Sequence, residues 1–352
     1  MFSWMMARVR RGKMKNVLLL VGTIVFCLII MEVAARIVYT KPGYGYPSEL
    51  FVEDEITGFR YNPGTETWFL GALYNDVSIR INEKGLRDED HAYDKEEGKA
   101  RIIGMGDSVV FGSGVPVEKT VLGELEDDLL GRDYNVEVIK AGVNHFALDQ
   151  YLYVYRDEMY KYNADVIVVG ITLNDAEVTN ISEAYARVRG GVDEDGFENM
   201  RIMVSKWCRI CSFAYNLVEE VDEPSREAYN KAYFNQIYTL WSEGSDEFER
   251  AKEVMDELRD AATVDGAKIL FMIFPYTNQF SVQGGADKRM PQENILKFCK
   301  EEGLNCIDLM DVLDKENYKE YYLFMDNVHL NERGHEVVAE KLVKELIDRG
   351  WL

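Results

Sequence analysis

Three short stretches carry side chains suited to acyl chemistry. Gly106-Asp107-Ser108 closes the apolar run ARIIGMG and leads into the small and apolar residues VVFGSGV. Asn174-Asp175 follows the apolar run DVIVVGI, in GITLNDA. Asp326 and His329 lie three residues apart in FMDNVHLNERGH. A serine hydroxyl is a poor nucleophile until a neighbour takes its proton. A histidine can take that proton and later return it to a leaving group, and a carboxylate can hold the imidazole in the required tautomer. The Ser108 N–H and the Asn174 amide are donors of the kind that stabilise a developing oxyanion, each worth roughly 3 kcal/mol. Singly, each stretch has a plainer reading. Gly-Asp-Ser after a strand is a helix cap, Asn-Asp is turn chemistry, and Asp-x-x-His is a cap or surface turn. Together they end or border the elements of a single alternating pattern, and this favours the chemical reading.

That pattern begins near residue 99. ARIIGMG, NVEVIKAG, DVIVVGI, AKILFMIFP and NCIDL read as five short apolar strands. Between and after them run amphipathic segments. VEKTVLGELEDDLLG places Val121, Leu125 and Leu129 on one helical face with Gly131 as a stop. DQYLYVYRDEMYKY and ENILKFCKEEG are also helical, and NERGHEVVAEKLVKELIDRG aligns Val338, Leu342 and Leu346 in a closing helix. Near-continuous apolar strands alternating with helices predict a parallel sheet covered on both faces. The fold class expected is α/β: a three-layer α/β/α sandwich with a five-stranded sheet in flavodoxin-like order, spanning residues 98–352. In such sheets ligands bind beyond the carboxyl ends of the strands. Residues 176–262 read as an aromatic, charged insertion of two or three helices over that edge, as extra packing, a lid or a substrate wall. Residues 40–97 show turn residues and period-two alternation, predicting a stalk and a small β-rich collar.

GDSVVFGSGV, VIKAGVNHFALDQ, GITLNDA and DNVHLNERGHEVVAE resemble, in order, the four sequence blocks of the SGNH (GDSL-type) hydrolases. INEKGLRDED resembles the segment that precedes the first block in bacterial, envelope-facing members. The resemblance implies a serine esterase or acyltransferase without a cofactor. It makes Ser108 the nucleophile, Asp326 and His329 the acid–base pair, Asn174 an oxyanion donor alongside the Ser108 N–H, and Gly106 and Asp107 the shapers of the nucleophile turn. One block departs from the family pattern Asn-x-Gly-x-x-Gly. Here Lys140 takes the asparagine position, Gly142 the first glycine and His145 the last, so any further oxyanion N–H comes from Gly142 or His145. A backbone N–H survives the change, but His145 brings a Cβ to a place that suits glycine. Its imidazole either borders the substrate site or is an ordinary loop side chain.

Composition sets the remaining bounds. The 352 residues carry 40 basic and 62 acidic side chains, a net charge of −22, which disfavours nucleic acid as a partner. Arg8, Arg10, Arg11, Lys13 and Lys15 all precede the first acid, Glu32. Residues 1–15 therefore form a basic tail. Residues 16–39, NVLLLVGTIVFCLIIMEVAARIVY, hold about the ~20 apolar positions of a membrane helix. The basic flank predicts a signal anchor with its N-terminus cytoplasmic and the body outside, periplasmic or extracellular; a cleaved signal peptide is the rival. Outside the cytoplasm, disulfides are allowed among Cys208, Cys211, Cys299 and Cys306 in any of three pairings. Cys208-x-x-Cys211 reads as buried thiols or one local disulfide. No cluster has metal-ligand spacing, and GDSVVFGSG lacks the Gly-Lys-Ser/Thr of a phosphate loop. His335 reads as structural and His91 as solvated. The expected substrate is an ester-bearing carbohydrate or lipid of the cell envelope. The alternatives are O-acyl transfer to an exported polysaccharide, and a non-catalytic glycan-binding or scaffold protein.

Overall fold

The computed structural model describes residues 16, 18–34, 47–69, 77–177, 179–190, 223–280, 288–313, 317–323 and 326–352. Residues 45–192 and 224–352 form one compact unit, and residues 1–44 with 193–223 form another. In the latter, residues 18–34 are helical, with Leu18, Leu19, Leu20, Phe26 and Ile29 all exposed. Among the described residues no helix is long and apolar enough to cross a membrane. Residues 17 and 35–39 of the expected anchor lie outside the described residues, as do Cys208 and Cys211.

The larger unit opens with two antiparallel pairs, β1 (Phe51–Asp54) with β2 (Gly58–Tyr61) and β3 (Glu66–Phe69) with β4 (Val77–Arg80). In β4 the period of two is visible directly: Val77 and Ile79 are buried, Ser78 and Arg80 exposed. Among the described residues the collar's buried side chains, Leu50, Phe59, Tyr61 and Ile79 among them, join one core layer of the main sheet. The Phe59 ring meets Phe146 edge-on at 5.3 Å, and Tyr61 meets Phe111 at 5.2 Å. Both pairs join the collar to one face of the main sheet.

That sheet contains β5 (Ala100–Gly106), β6 (Val136–Gly142), β7 (Val166–Ile171), β8 (Lys268–Ile273) and β9 (Cys306–Asp308). All neighbours are parallel, in the order β6-β5-β7-β8-β9. This is the flavodoxin-like arrangement, with the first strand flanked by the second and third. The strands look uniformly apolar because both faces are buried. Ile103, Met105, Ile167, Val169, Phe271 and Ile273 point to one layer, and Ile102, Val166, Val168, Leu270 and Met272 to the other. The first layer holds the helices Leu148–Asp157, Asp246–Val264 and Met290–Glu302, and the second holds Val121–Gly131 and Glu332–Asp348.

The Asp246–Val264 helix corrects the sequence reading. All but its last two residues fall within the range assigned to an insertion, yet it is the crossover that carries the chain back to β8. Phe248, Ala251, Val254, Met255, Leu258 and Ala262 recur at helical spacing and are all buried. The described helices of the insertion proper are thus Ile181–Gly190 and Glu223–Leu240. Among the described residues a disulfide, Cys299–Cys306, ties the end of the Met290–Glu302 helix to β9, with Cα atoms 6.2 Å apart. It resolves part of the pairing that spacing left open.

Candidate active site

The nucleophile turn follows from how β5 ends. Asp107 caps the short helix Ser108–Phe111, its Oδ1 accepting the Val109 N–H at 2.9 Å. The helix stops after one turn at Gly112, which is left-handed at φ 78°. It lies very close to the neighbouring strands. A Cβ on Gly142 would sit 2.4 Å from the Phe111 nitrogen, and one on Gly106 2.3 Å from the Val110 side chain. From the collar, the buried Arg87 guanidinium donates to the carbonyls of Phe111 at 2.8 Å, Gly112 at 3.0 Å and Val115 at 2.8 Å. Ser108 is left half-buried at the carboxyl end of β5.

The loop before the closing helix reaches the same point. His329 Nε2 lies 2.9 Å from Ser108 Oγ, and its Nδ1 lies 2.8 Å from Asp326 Oδ2. Asp326 Oδ1 accepts the backbone N–H groups of Val328 at 2.7 Å and His329 at 2.9 Å, which fixes the carboxylate. Thr277 fastens the loop from outside by donating its N–H to the Asn327 carbonyl at 2.9 Å. Burial penalises ionisation of both partners, but their mutual attraction outweighs it. The His329 charge and the N–H donors hold Asp326 well below the ordinary carboxylate range, while Asp326 raises the His329 imidazole above its usual value. The three side chains form one line that can pass a proton from Ser108 to His329 with the resulting charge stabilised.

The third stretch supplies a donor. Asn174 Oδ1 accepts the Tyr276 hydroxyl at 2.5 Å and lies 2.8 Å from Thr172 Oγ1. Its Nδ2 hydrogens have no partner among the described residues. Thr172 also reaches Asp107 Oδ2 at 2.8 Å and so joins this turn to the nucleophile turn. The insertion supports it from behind: the buried Trp241 indole donates to the Leu173 carbonyl at 2.6 Å. With its oxygen engaged, the Asn174 amide presents donors only, as an oxyanion contact requires.

The sequence profile of the GDSL-like lipase/acylhydrolase family matches residues 105–337, about two thirds of the chain. The chain belongs to this family. No curated protein sequence matches it. Solved structures to which it is similar include a G-D-S-L family protein described as lipolytic from Desulfitobacterium hafniense DCB-2, at 12% identity over 70% of this chain and 98% of that one, with a TM-score of 0.42. Two others are a catalytic mutant of an acetylxylan esterase from Geobacillus stearothermophilus (13% identity, 70% and 94% coverage, TM-score 0.41) and a psychrotrophic esterase from Pseudoalteromonas sp. (10%, 70% and 98%, TM-score 0.40).

Within this GDSL-family chain the departing second block takes a definite form. Lys140 is turned to the edge of the sheet, where Nζ meets Glu126 at 2.7 Å and Asp88 at 3.2 Å. The buried polar anchor of the loop is Asn144, whose Nδ2 donates to Ser113 Oγ at 2.9 Å and whose N–H donates to the Tyr61 hydroxyl at 2.9 Å. His145 is exposed and left-handed at φ 66°, so the chain keeps the glycine-like backbone with a side chain attached. Gly142 is required for the close packing of the nucleophile helix.

Sequence reasoning gave no role to Tyr276, Thr172, Trp241, Arg87, Tyr61 and Asn144, although Thr172, Arg87 and Asn144 stand inside GITLNDA, INEKGLRDED and VIKAGVNHFALDQ. It also misplaced His91. That imidazole is largely buried, 3.0 Å from Asp88 and 3.2 Å from Glu137, because the collar strap lies against edge strand β6. His335 is buried, and its Nδ1 accepts the Val121 N–H at 3.1 Å. Burial lowers its pKa to about 3, keeping it a neutral acceptor that docks the closing helix. Among the described residues no group of His, Cys, Asp and Glu could hold a metal ion.

Proposed function

We propose that the protein is a serine esterase acting through an acyl-enzyme on Ser108. The observation that carries this reading is the continuous line Ser108 Oγ–His329–Asp326 beside an asparagine whose amide nitrogen is unengaged among the described residues. Ser108 Oγ bonds to the ester carbonyl carbon as its proton passes to His329 Nε2. The carbonyl oxygen becomes an oxyanion held by Asn174 Nδ2 and the Ser108 N–H. The intermediate collapses with cleavage of the bond to the alkoxy oxygen, and His329 returns the proton to the departing alcohol. Water then repeats the sequence on the acyl-enzyme, with His329 again as base.

The setting of this chemistry is the cell envelope. The apolar exposed helix at residues 18–34, the basic residues before it and the Cys299–Cys306 disulfide support an anchored, extracytoplasmic enzyme. O-acyl groups on an envelope carbohydrate or lipid are the corresponding substrates. Treatment of the full-length protein, wild type and Ser108→Ala, with a fluorophosphonate probe followed by mass-spectrometric mapping tests the mechanism. The wild type is expected to carry the label on Ser108. A folded wild type that stays unlabelled would overturn the proposal.

A further inference from the structure

Behind the proposed oxyanion donor lies a buried pair of carboxyl groups that the reaction does not use. Asp107 and Asp175 are each 1% exposed, and one hydroxyl, that of Thr172, joins them. Thr172 Oγ1 is 2.8 Å from Asp107 Oδ2, 2.9 Å from Asp175 Oδ1 and 2.8 Å from Asn174 Oδ1. A threonine hydroxyl has one proton to give and two lone pairs. Three oxygen neighbours at these distances therefore need at least one proton from a partner. Asn174 does not supply it. The 2.5 Å separation from the Tyr276 hydroxyl fits O–H···O, and Asn174 Oδ1 is the acceptor of that proton. The proton must come from an aspartic acid.

The surroundings identify which one. Asp175 Oδ2 accepts twice, from the Thr172 N–H at 2.9 Å and from the Tyr151 hydroxyl at 2.9 Å, whereas Oδ1 faces only Thr172. That is the hydrogen-bond pattern of a carboxylic acid, with one carbonyl-like oxygen and one O–H. Burial raises the Asp107 carboxyl too, but the Val109 N–H, the Thr172 hydroxyl, the His329 charge and the Ser108 hydroxyl all pull it back toward the anion, whereas Asp175 has no charged partner of this kind. Among the described residues no lysine, arginine or histidine hydrogen-bonds to either carboxyl group. The groups facing Asp175 are Asp107, Tyr151 and Thr172, with Tyr276 beyond them, and none brings a positive charge.

We propose that Asp175 is a neutral carboxylic acid that donates to Thr172, and that Thr172 then shares its own proton between Asp107 and Asn174 Oδ1, holding the Asn174 NH2 toward the oxyanion. Asp175 is thus a positioning residue for the reaction. The positioning role rests on the reading of Asn174 given above; the protonation state does not. Burial is the main cause favouring the neutral form and the adjacent Asp107 adds to it, placing Asp175 well above the ordinary carboxylate range.

The test uses the full chain in detergent as wild type, D175N, D175A and N174A. Asparagine at 175 reproduces the donor and acceptor of the neutral acid. The wild-type-minus-D175N infrared difference spectrum is expected to contain the carbonyl band of a protonated carboxylic acid at neutral pH. Folding then retains a proton that the unfolded chain releases, so wild-type stability falls relative to D175N as pH rises from about 5 to about 8. In turnover, D175A is expected to lower kcat by roughly tenfold or more with KM nearly constant, and D175N to restore most of the loss. A difference spectrum without the acid band, or a stability difference that does not change with pH, overturns the proposed protonation. If N174A loses activity and D175A does not, the positioning role is overturned. If N174A itself keeps full kcat, the oxyanion reading fails and takes the positioning role with it, while the spectrum and the stability series still decide the proton.

Discussion

His329 is the residue on which the chemistry depends most directly, because only its neutral form can accept the Ser108 proton. Asp326 raises the imidazole pKa. Raising a base's pKa shrinks its neutral fraction at low pH, so kcat/KM should climb with pH through an inflection above the ordinary imidazole value of about 6.5. Asp326→Asn removes the charge. The inflection should then move down, and kcat should fall by on the order of 10³- to 10⁴-fold, because the tautomer is no longer fixed. A pH–rate profile of both proteins checks the sign and the size, and an unmoved inflection would exclude His329 as the base. Tyr276 provides a second test at this scale. Tyr276→Phe removes the hydroxyl that orients Asn174, and kcat should drop roughly tenfold with KM little changed. In an Asn174→Ala background the same change should do almost nothing. Additive losses in this double-mutant cycle would show that Tyr276 acts by another route.

At the scale of elements, the nucleophile helix is held by contact with its neighbours. Gly142→Ala puts a methyl group 2.4 Å from the Phe111 nitrogen, an atom of the backbone that cannot swing aside. The expected cost is about 2 kcal/mol, in the range of core overpacking, and fluorophosphonate labelling of Ser108 should slow as the helix is displaced. A thermal melt with a labelling time course measures both. The five strands and the two signals at their ends, Ser108 and Asn174, were legible in the sequence because burial on both faces removes polar residues from the strands, and because the parallel topology gathers their carboxyl ends at one edge; Asp326 and His329 lie beyond β9 and were legible from the closing helix they precede. The insertion boundary was misread because the Asp246–Val264 helix is charged on its outer face. Its buried stripe marks a layer helix only once α-helical spacing is traced through Phe248, Met255 and Ala262. Arg87, Asn144 and Tyr276 were beyond reach for another reason. Arg87 and Asn144 stand inside INEKGLRDED and VIKAGVNHFALDQ, but each of the three acts on a partner 24 or more residues away in the chain, so its role cannot be read from its sequence neighbours.

At the scale of the whole molecule, the oxidising, membrane-proximal setting proposed above rests on two features: the apolar helix at residues 18–34 with the basic residues before it in the sequence, and the bond between Cys299 and Cys306. The bond closes a loop of sequence separation 7. Chain-entropy arguments assign such a closure roughly 2–3 kcal/mol, by limiting the unfolded ensemble. Reduction should therefore lower the stability of the purified protein by about that amount, read from denaturant midpoints with and without reductant. The same bond reports topology in the cell. A catalytic domain held outside the cytoplasm keeps Cys299 and Cys306 oxidised, so a membrane-permeant thiol reagent should label neither until a reductant is added, and a cytoplasmic version lacking residues 1–39 should be labelled at both. Equal labelling of the two forms without reductant would place the domain in a reducing compartment. The envelope carbohydrate or lipid would then lose its claim as substrate, while the Ser108–His329–Asp326 geometry would still call for an ester.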